Sequence, residues 1–374
     1  LLKSNFYSTK NTNFALQNNK FMKKILLAAL FVGSFGFAAQ SSAKSVKPTK
    51  AQRAQQELMQ KACERGLSSI NRASSEAIIG FLASDALEGR EAGYNTSIIA
   101  GEYMVSQLIE AGLEPLDGSY RHRFSAYQAA STRRPGNRWE VNADSIAKLQ
   151  QGPHRRMDMM NVFGVIPGEI QDEYVIVGAH RDHWGLDPWK VGDQIYNGAD
   201  DNASGVSCAL QIARAFKASG MKPRRTVIFA FWDGEEKGTL GSTYFTQTWP
   251  QIKQVKGYLN FDMEGGNTQP DNPPYFAYIY SQENPAFGEW IKNDVEKYNL
   301  GLDPSVRPTE NLLGGSDQGN FVKLGIPFIW YHTDWTPYYH QVTDEPEHIN
   351  WDKLVDITKA SYLNAWNLAN EENY

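Results

Sequence analysis

Six short apolar runs constrain this chain most: 162–166, 174–177, 226–231, 258–261, 276–280 and 328–331, each bounded by turn residues. Runs this short and this continuous fit strands buried on both faces better than strands with one wet side. Helix-patterned segments lie between several of them, at 203–217, 240–249, 286–298 and 320–324. A last helix is expected after Asn350, a good N-cap, with Trp351, Leu354, Val355, Thr358 and Tyr362 at helical spacing. Strands alternating with helices predict an α/β fold, a largely parallel sheet with helices on both faces. Upstream, helices are expected over 51–64, 74–83 and 96–110, whereas 117–158 shows no clear period. No repeat and no Gly/Ser linker interrupts residues 44–374, which read as one domain with an N-terminal helical arm.

The N-terminus reads as an address. Met22-Lys23-Lys24 precedes a nearly unbroken apolar run over 25–39, and Ser41-Ser42-Ala43 supplies small residues for a cut after Ala43. That order marks 22–43 as a secretory signal peptide. As a helix the run reaches only about 22 Å, short of the ~30 Å hydrocarbon core, so no stable membrane insertion is expected once the signal is removed. Residues 1–21, polar and Asn-rich ahead of Met22, read as an upstream extension. The mature protein is expected outside the cytoplasm, in a periplasm or the medium. Beyond residue 43 the chain carries 32 basic against 42 acidic side chains. A body that acidic is poorly suited to nucleic acid, whose phosphates need a basic face. Cys63 and Cys208 are too few for a disulfide scaffold or a thiolate zinc cluster and read as separate, partly buried thiols.

Several apolar runs empty into acid- or histidine-bearing loops. Run 174–177 leads to Gly178-Ala179-His180-Arg181-Asp182-His183, run 226–231 to Trp232-Asp233-Gly234-Glu235-Glu236, run 258–261 to Asp262, and run 328–331 to His332 and then His340. Sites in open α/β sheets form outside the carboxyl ends of strands, so repeated placement of this kind points to one shared site. Each piece alone is weak. His180 and Asp182 by themselves read first as a surface pair, and second as an imidazole with a carboxylate that fixes its tautomer. Asp200 and Asp201 at a helix start read as N-caps, although capping leaves the small residues around them, Gly198 to Gly205, unexplained. Together His180, Asp201, Glu236, Asp262 and His340 form a nitrogen and oxygen donor set without thiolate. Such a set suits catalytic zinc, and five ligands fit two zinc ions if one carboxylate bridges.

These strings resemble peptidase family M28, the co-catalytic zinc aminopeptidases. The likeness is carried by Gly178–His183, Tyr196–Gly205, Gly234–Ser242, Asn260–Met263 and Tyr339–Asp344, and it reaches upstream to Leu82–Asp85 and Leu87–Arg90. It implies a three-layer αβα fold with a mixed, mostly parallel sheet. It also implies two zinc ions: His180 and Asp262 on one, Glu236 and His340 on the other, and Asp201 bridging. Asp182 would orient His180, and Glu235 would be the general base. His340 rather than His332 would be the last ligand, and the Asp201–Asn202 bond would be cis. His183 would stand behind the ligands or in the pocket. The chain departs from many relatives at Ser316-Asp317-Gln318, and Asn311 to Gly315 offers no tyrosine to assist the transition state. Residues 117–158 are too few for an inserted protease-associated domain, which leaves the compact branch.

The resemblance implies an aminopeptidase acting on peptides. A glutaminyl cyclase-type acyltransferase shares the fold and the glutamate pair but uses one zinc, against which the His180/Asp182 pair argues. A receptor-like module would have lost ligands, and none is lost here. A carboxypeptidase or dipeptidase of the same fold stays open, because pocket walls choose which terminus is read.

Overall fold

The computed structural model describes residues 49–130, 138–310 and 314–374; the signal-peptide and upstream-extension expectations lie outside the described residues. Residues Arg53–Tyr374 form one compact unit, which holds the sheet and every site residue discussed below.

Helices α1 (Lys50–Leu67), α2 (Arg72–Leu82) and α3 (Asn95–Glu110) precede an eight-stranded mixed sheet. Its strands are β1 (Arg121–Ala129), β2 (His154–Ile166), β3 (Ile170–His180), β6 (Arg225–Trp232), β7 (Val255–Phe261), β8 (Tyr275–Ser281), β9 (Asp303–Thr309) and β10 (Phe328–His332). A two-stranded ribbon, β4 (Gly185–Leu186) with β5 (Ile195–Tyr196), stands apart. The sheet order is β1-β2-β6-β3-β7-β10-β8-β9. The middle four, β6, β3, β7 and β10, are parallel, with His180 opposite Trp232 and Phe261 opposite both Ala179 and Tyr331. Their carboxyl ends therefore finish level at one edge of the sheet.

Alternation along those strands builds two cores. Val175, Val177, Phe229, Phe231, Leu259 and Phe261 face one side, against α2, α3, α5 (Gly205–Ser219) and α9 (Trp351–Asn370). Ile176, Ile228, Trp232 and Tyr258 face the other, against α6 (Leu240–Thr248) and α8 (Gln318–Val322). This is the three-layer αβα arrangement expected. Gly178 marks how close the second core comes: a Cβ there would lie 2.5 Å from Tyr258 Oη and 2.7 Å from Trp232 Nε1.

Residues 117–158 hold more order than their sequence shows. They contain β1, the short α4 (Ala143–Leu149) and the first part of β2. In β1 only Phe124 and Ala126 are buried, and its polar, Arg-rich remainder hides the alternation. Strand β9 escapes the sequence pattern as well, because it carries Pro304 and Pro308. Among the described residues it pairs only with β8, and an edge strand tolerates the missing N–H groups. Cys63 and Cys208 are both free and buried.

One half-buried acid in the helix layer carries a testable consequence. Asp294, on α7 (Ala286–Lys297), accepts from Asn364 Nδ2 at 3.1 Å, and burial pushes its pKa up to about 7 despite Lys297. The native state then holds this proton more tightly than the unfolded chain does. Its contribution to stability is greatest below the unfolded value and is lost as pH rises through about 7. Asp294→Asn should therefore raise the melting temperature at pH 8, by roughly 2–4 °C per kcal/mol recovered, and converge on the parent below pH 5. Parallel melting curves of the two proteins across that pH range would refute the assignment.

Candidate metal centre

The level carboxyl ends bring the segments together. His180 is the last residue of β3, Glu235 and Glu236 lie just beyond β6, and Asp262 follows β7 directly. Asp201 comes from the turn 199–204 that opens α5, and His340 from the loop between β10 and α9. All but His340 and the glutamates are buried, and those three are partly covered.

Asp201 is the hub. Its Oδ1 lies 3.2 Å from His180 Nε2, which is also 3.5 Å from Asp262 Oδ1. Its Oδ2 lies 3.3 Å from His340 Nε2, which is 3.2 Å from Glu236 Oε2. One carboxylate thus presents each oxygen to a separate imidazole-carboxylate pair. His332 stays out of this group: its Nδ1 meets the Asp262 carbonyl at 2.6 Å.

Electrostatics follow the crowding. Burial alone would lower the His180 pKa, yet Asp262 and Asp201 raise it well above the usual value. Burial likewise opposes the Asp201 charge, but His183, His180 and His340 hold its pKa well below the ordinary range. For His340, Asp201 and Glu236 outweigh burial and raise the pKa to about 9. For Glu235 the compensation is too small. Burial, with Asp317 and Glu236 adding, drives its pKa well above a normal carboxyl against the pull of His180. Three carboxylates, Asp201, Glu236 and Asp262, with the imidazoles of His180 and His340 form a donor set that takes a divalent cation, and its oxygen and nitrogen atoms suit zinc. Two such groups meet at Asp201: His180 with Asp262, and His183 with Glu236.

Four sets of contacts at the site add to what the sequence shows. The Asp182 carboxylate, expected to hold His180, instead accepts the backbone N–H of Glu235 at 3.0 Å and of Glu236 at 3.3 Å. His180 Nδ1 faces the Asp182 carbonyl at 3.2 Å, with the carboxylate at 3.9 Å. Asp182 therefore ties the glutamate turn to β3. Secondly, His183 Nδ1 lies 2.8 Å from Glu236 Oε1, and Trp184 Nε1 donates to Glu236 Oε2 at 2.7 Å, so both orient that carboxylate. Thirdly, the Asp344 carboxylate takes the N–H groups of Asp200 and Asp201, each at 2.9 Å, beside a cis Asp201–Asn202 bond. Fourthly, Arg90 is fully buried and donates only to backbone carbonyls, those of Leu82, Arg181, Asn197, Gly198 and Asp201.

Residues 161–364, more than half the chain and spanning every donor named above, match the model of Peptidase family M28. The chain belongs to that family. Among curated proteins, this M28 chain is 31% identical over 240 residues to a probable glutamate carboxypeptidase of Arthroderma benhamiae, covering 55% of this chain and 32% of that one. It is 33% identical over 172 residues to leupeptin-inactivating enzyme 1 of Streptomyces exfoliatus (45% and 34%). It is 37% identical over 203 residues to aminopeptidase NAALADL1 of Mus musculus (48% and 26%). The alignments thus span about a third or less of these relatives. Among solved structures, a zinc aminopeptidase from Bacillus subtilis superposes with a TM-score of 0.60 at 17% identity, over 82% of this chain and 97% of that one. LapA aminopeptidase of Legionella pneumophila gives 0.60 at 18% identity, over 92% and 81%. At these identities the likeness establishes the αβα fold.

Proposed function

We propose that this M28 chain is an exported, zinc-dependent exopeptidase that hydrolyses N-terminal residues from peptides at a two-zinc site. The observation that carries the reading is the division of Asp201, one oxygen toward His180 and Asp262 and the other toward His340 and Glu236. A carboxylate so placed would help hold two cations, with His180 and Asp262 as the further residues for one and His340 and Glu236 for the other. Bound there, zinc would supply a water of lowered pKa and a polarised scissile carbonyl. The chain's own residues would do the rest. Glu235, partly covered and beside the donors, takes the proton of the attacking water. It delivers that proton to the leaving nitrogen as the carbonyl carbon gains oxygen and the C–N bond breaks. Asp182 holds the Glu235 and Glu236 backbones, so the base and its neighbouring ligand are set by one carboxylate. Export is supported by the basic, apolar and small-residue order of residues 22–43.

The aminopeptidase reading is supported by the named activities of two relatives' groups, NAALADL1 and the structural neighbours, while the glutamate carboxypeptidases keep the other terminus in view. A panel of aminoacyl nitroanilides beside their N-acetylated forms separates the two. Free-amine substrates should be cleaved at least a hundredfold faster, chelation should abolish turnover, and zinc should restore it. Equal rates on blocked and free substrates would sink the aminopeptidase reading.

A further inference from the structure

One cavity next to the metal donors has a charge opposite to theirs. It measures about 260 Å³ and is lined by Glu235 at one side and by Arg138, Gly238, Gly314, Asn320 and Lys323 elsewhere. A second cavity, of about 230 Å³, shares Arg138, Gly238 and Lys323 with it, so both cations stand at the common wall. The two side chains are exposed. Lys323 Nζ donates to the neutral Asn320 Oδ1 at 3.0 Å, whereas nearby Lys237 is already spent on Glu91 at 2.7 Å. The glycines keep the walls low: Gly238 has φ of +113°, and a Cβ there would meet only Arg138 Nε, at 4.0 Å. In a body with an excess of ten acidic side chains, two cations that have no carboxylate partner among the described residues stand at the mouth of a polar cavity, placed to bind one.

We propose that this cavity is a subsite for a carboxylate on the leaving residue of the substrate, held by Arg138 and Lys323. The inference rests on the exopeptidase reading, which supplies the direction. Glu235 must reach the leaving nitrogen to protonate it, so the cavity that opens on Glu235 receives whatever that nitrogen carries. Its size is below the ~300–1,000 Å³ of sites for drug-sized ligands and suits one residue rather than an extended segment. The carboxylate has two sources: the C-terminal α-carboxylate of a dipeptide, or the side chain of Asp or Glu in the second position. Arg138 offers a planar fork and Lys323 a point charge, the pairing that suits a carboxylate at a solvent-facing wall.

The test measures kcat/KM on zinc-loaded protein for two substrate pairs, Leu-Ala with Leu-Ala-amide, and Leu-Glu-amide with Leu-Gln-amide. At least one charged-to-neutral ratio should exceed one by about tenfold, carried by KM and weakened by salt, as exposed charge contacts are. The first pair reports the α-carboxylate and the second the side chain. In the Arg138→Gln, Lys323→Gln double variant that ratio should fall toward one. Cleavage of all four substrates by the parent with both ratios at or below one overturns the subsite and leaves the exopeptidase intact. A ratio that the double variant leaves unchanged also overturns it. Failure to cleave any of the four sinks the exopeptidase reading and takes the subsite with it.

Discussion

Glu235→Gln should retain the fold and the full metal content yet lose at least the ~10²–10⁴-fold that general-base catalysis supplies. Consecutive residues leaving a strand point in different directions, so Glu235 and Glu236 do not serve one ion alike. The contacts separate them. Glu236 faces His340 at 3.2 Å and His183 at 2.8 Å, and these neighbours hold its pKa below normal against burial and Asp201. Glu235 makes no ion pair with an imidazole among the described residues, and burial raises its pKa well above normal. The first is built to stay charged and hold a cation; the second is built to accept and return a proton. Glu236→Gln should instead weaken metal binding, and added zinc should recover part of its turnover. The deciding measurement is zinc content beside kcat for both variants. If Glu235→Gln loses zinc while Glu236→Gln keeps it, the two roles are exchanged.

Arg90→Met should cost about 3–5 kcal/mol of stability, the range for removing one member of a buried charged network. The guanidinium has no exposed surface and spends its donors on five carbonyls from three separate segments. Methionine fills much of the volume but withdraws every guanidinium donor; Gly198 keeps the Ala203 N–H at 3.2 Å, while a buried carbonyl left without a donor costs about 1–3 kcal/mol. Burial lowers the Arg90 pKa to about 10, with Asp201 and Asp344 opposing, so the charge persists at neutral pH. Because two of the carbonyls, those of Asn197 and Gly198, lie in the turn leading into Asp201 and a third is its own, zinc affinity should fall along with stability. Arg90→Lys keeps the charge without the fork and should land between the two. Denaturant unfolding of the metal-free and zinc-loaded proteins checks this; a Met variant within about 1 kcal/mol of the parent would remove Arg90 from the site's support.

The strands that carry the site were legible because they are covered on both faces. Burial of that kind leaves unbroken apolar runs, and each such run ended where an acid or histidine began. Strand β1 was not legible, since only Phe124 and Ala126 along it are buried, and neither was β9, whose prolines are tolerated because nothing among the described residues pairs beyond it. Within the site, His180, Asp201, Glu235, Glu236, Asp262 and His340 could be singled out by position and chemistry. Their supports could not. Asp344 meets the N–H groups of Asp200 and Asp201 from 144 and 143 residues away, and Arg90 reaches Asp201 across 111.

By itself, then, the sequence determined the layer architecture and the edge of the sheet where acids and histidines collect, because apolar period and strand ends are local properties of the chain. Only the tertiary structure decided which donors face each oxygen of Asp201, that Asp182 fastens the glutamate turn, and that two cations line a cavity beside Glu235. Those facts depend on the register of β3, β6, β7 and β10 and on loops that meet only when the sheet is closed, and through-space contact between distant segments leaves no local pattern to read.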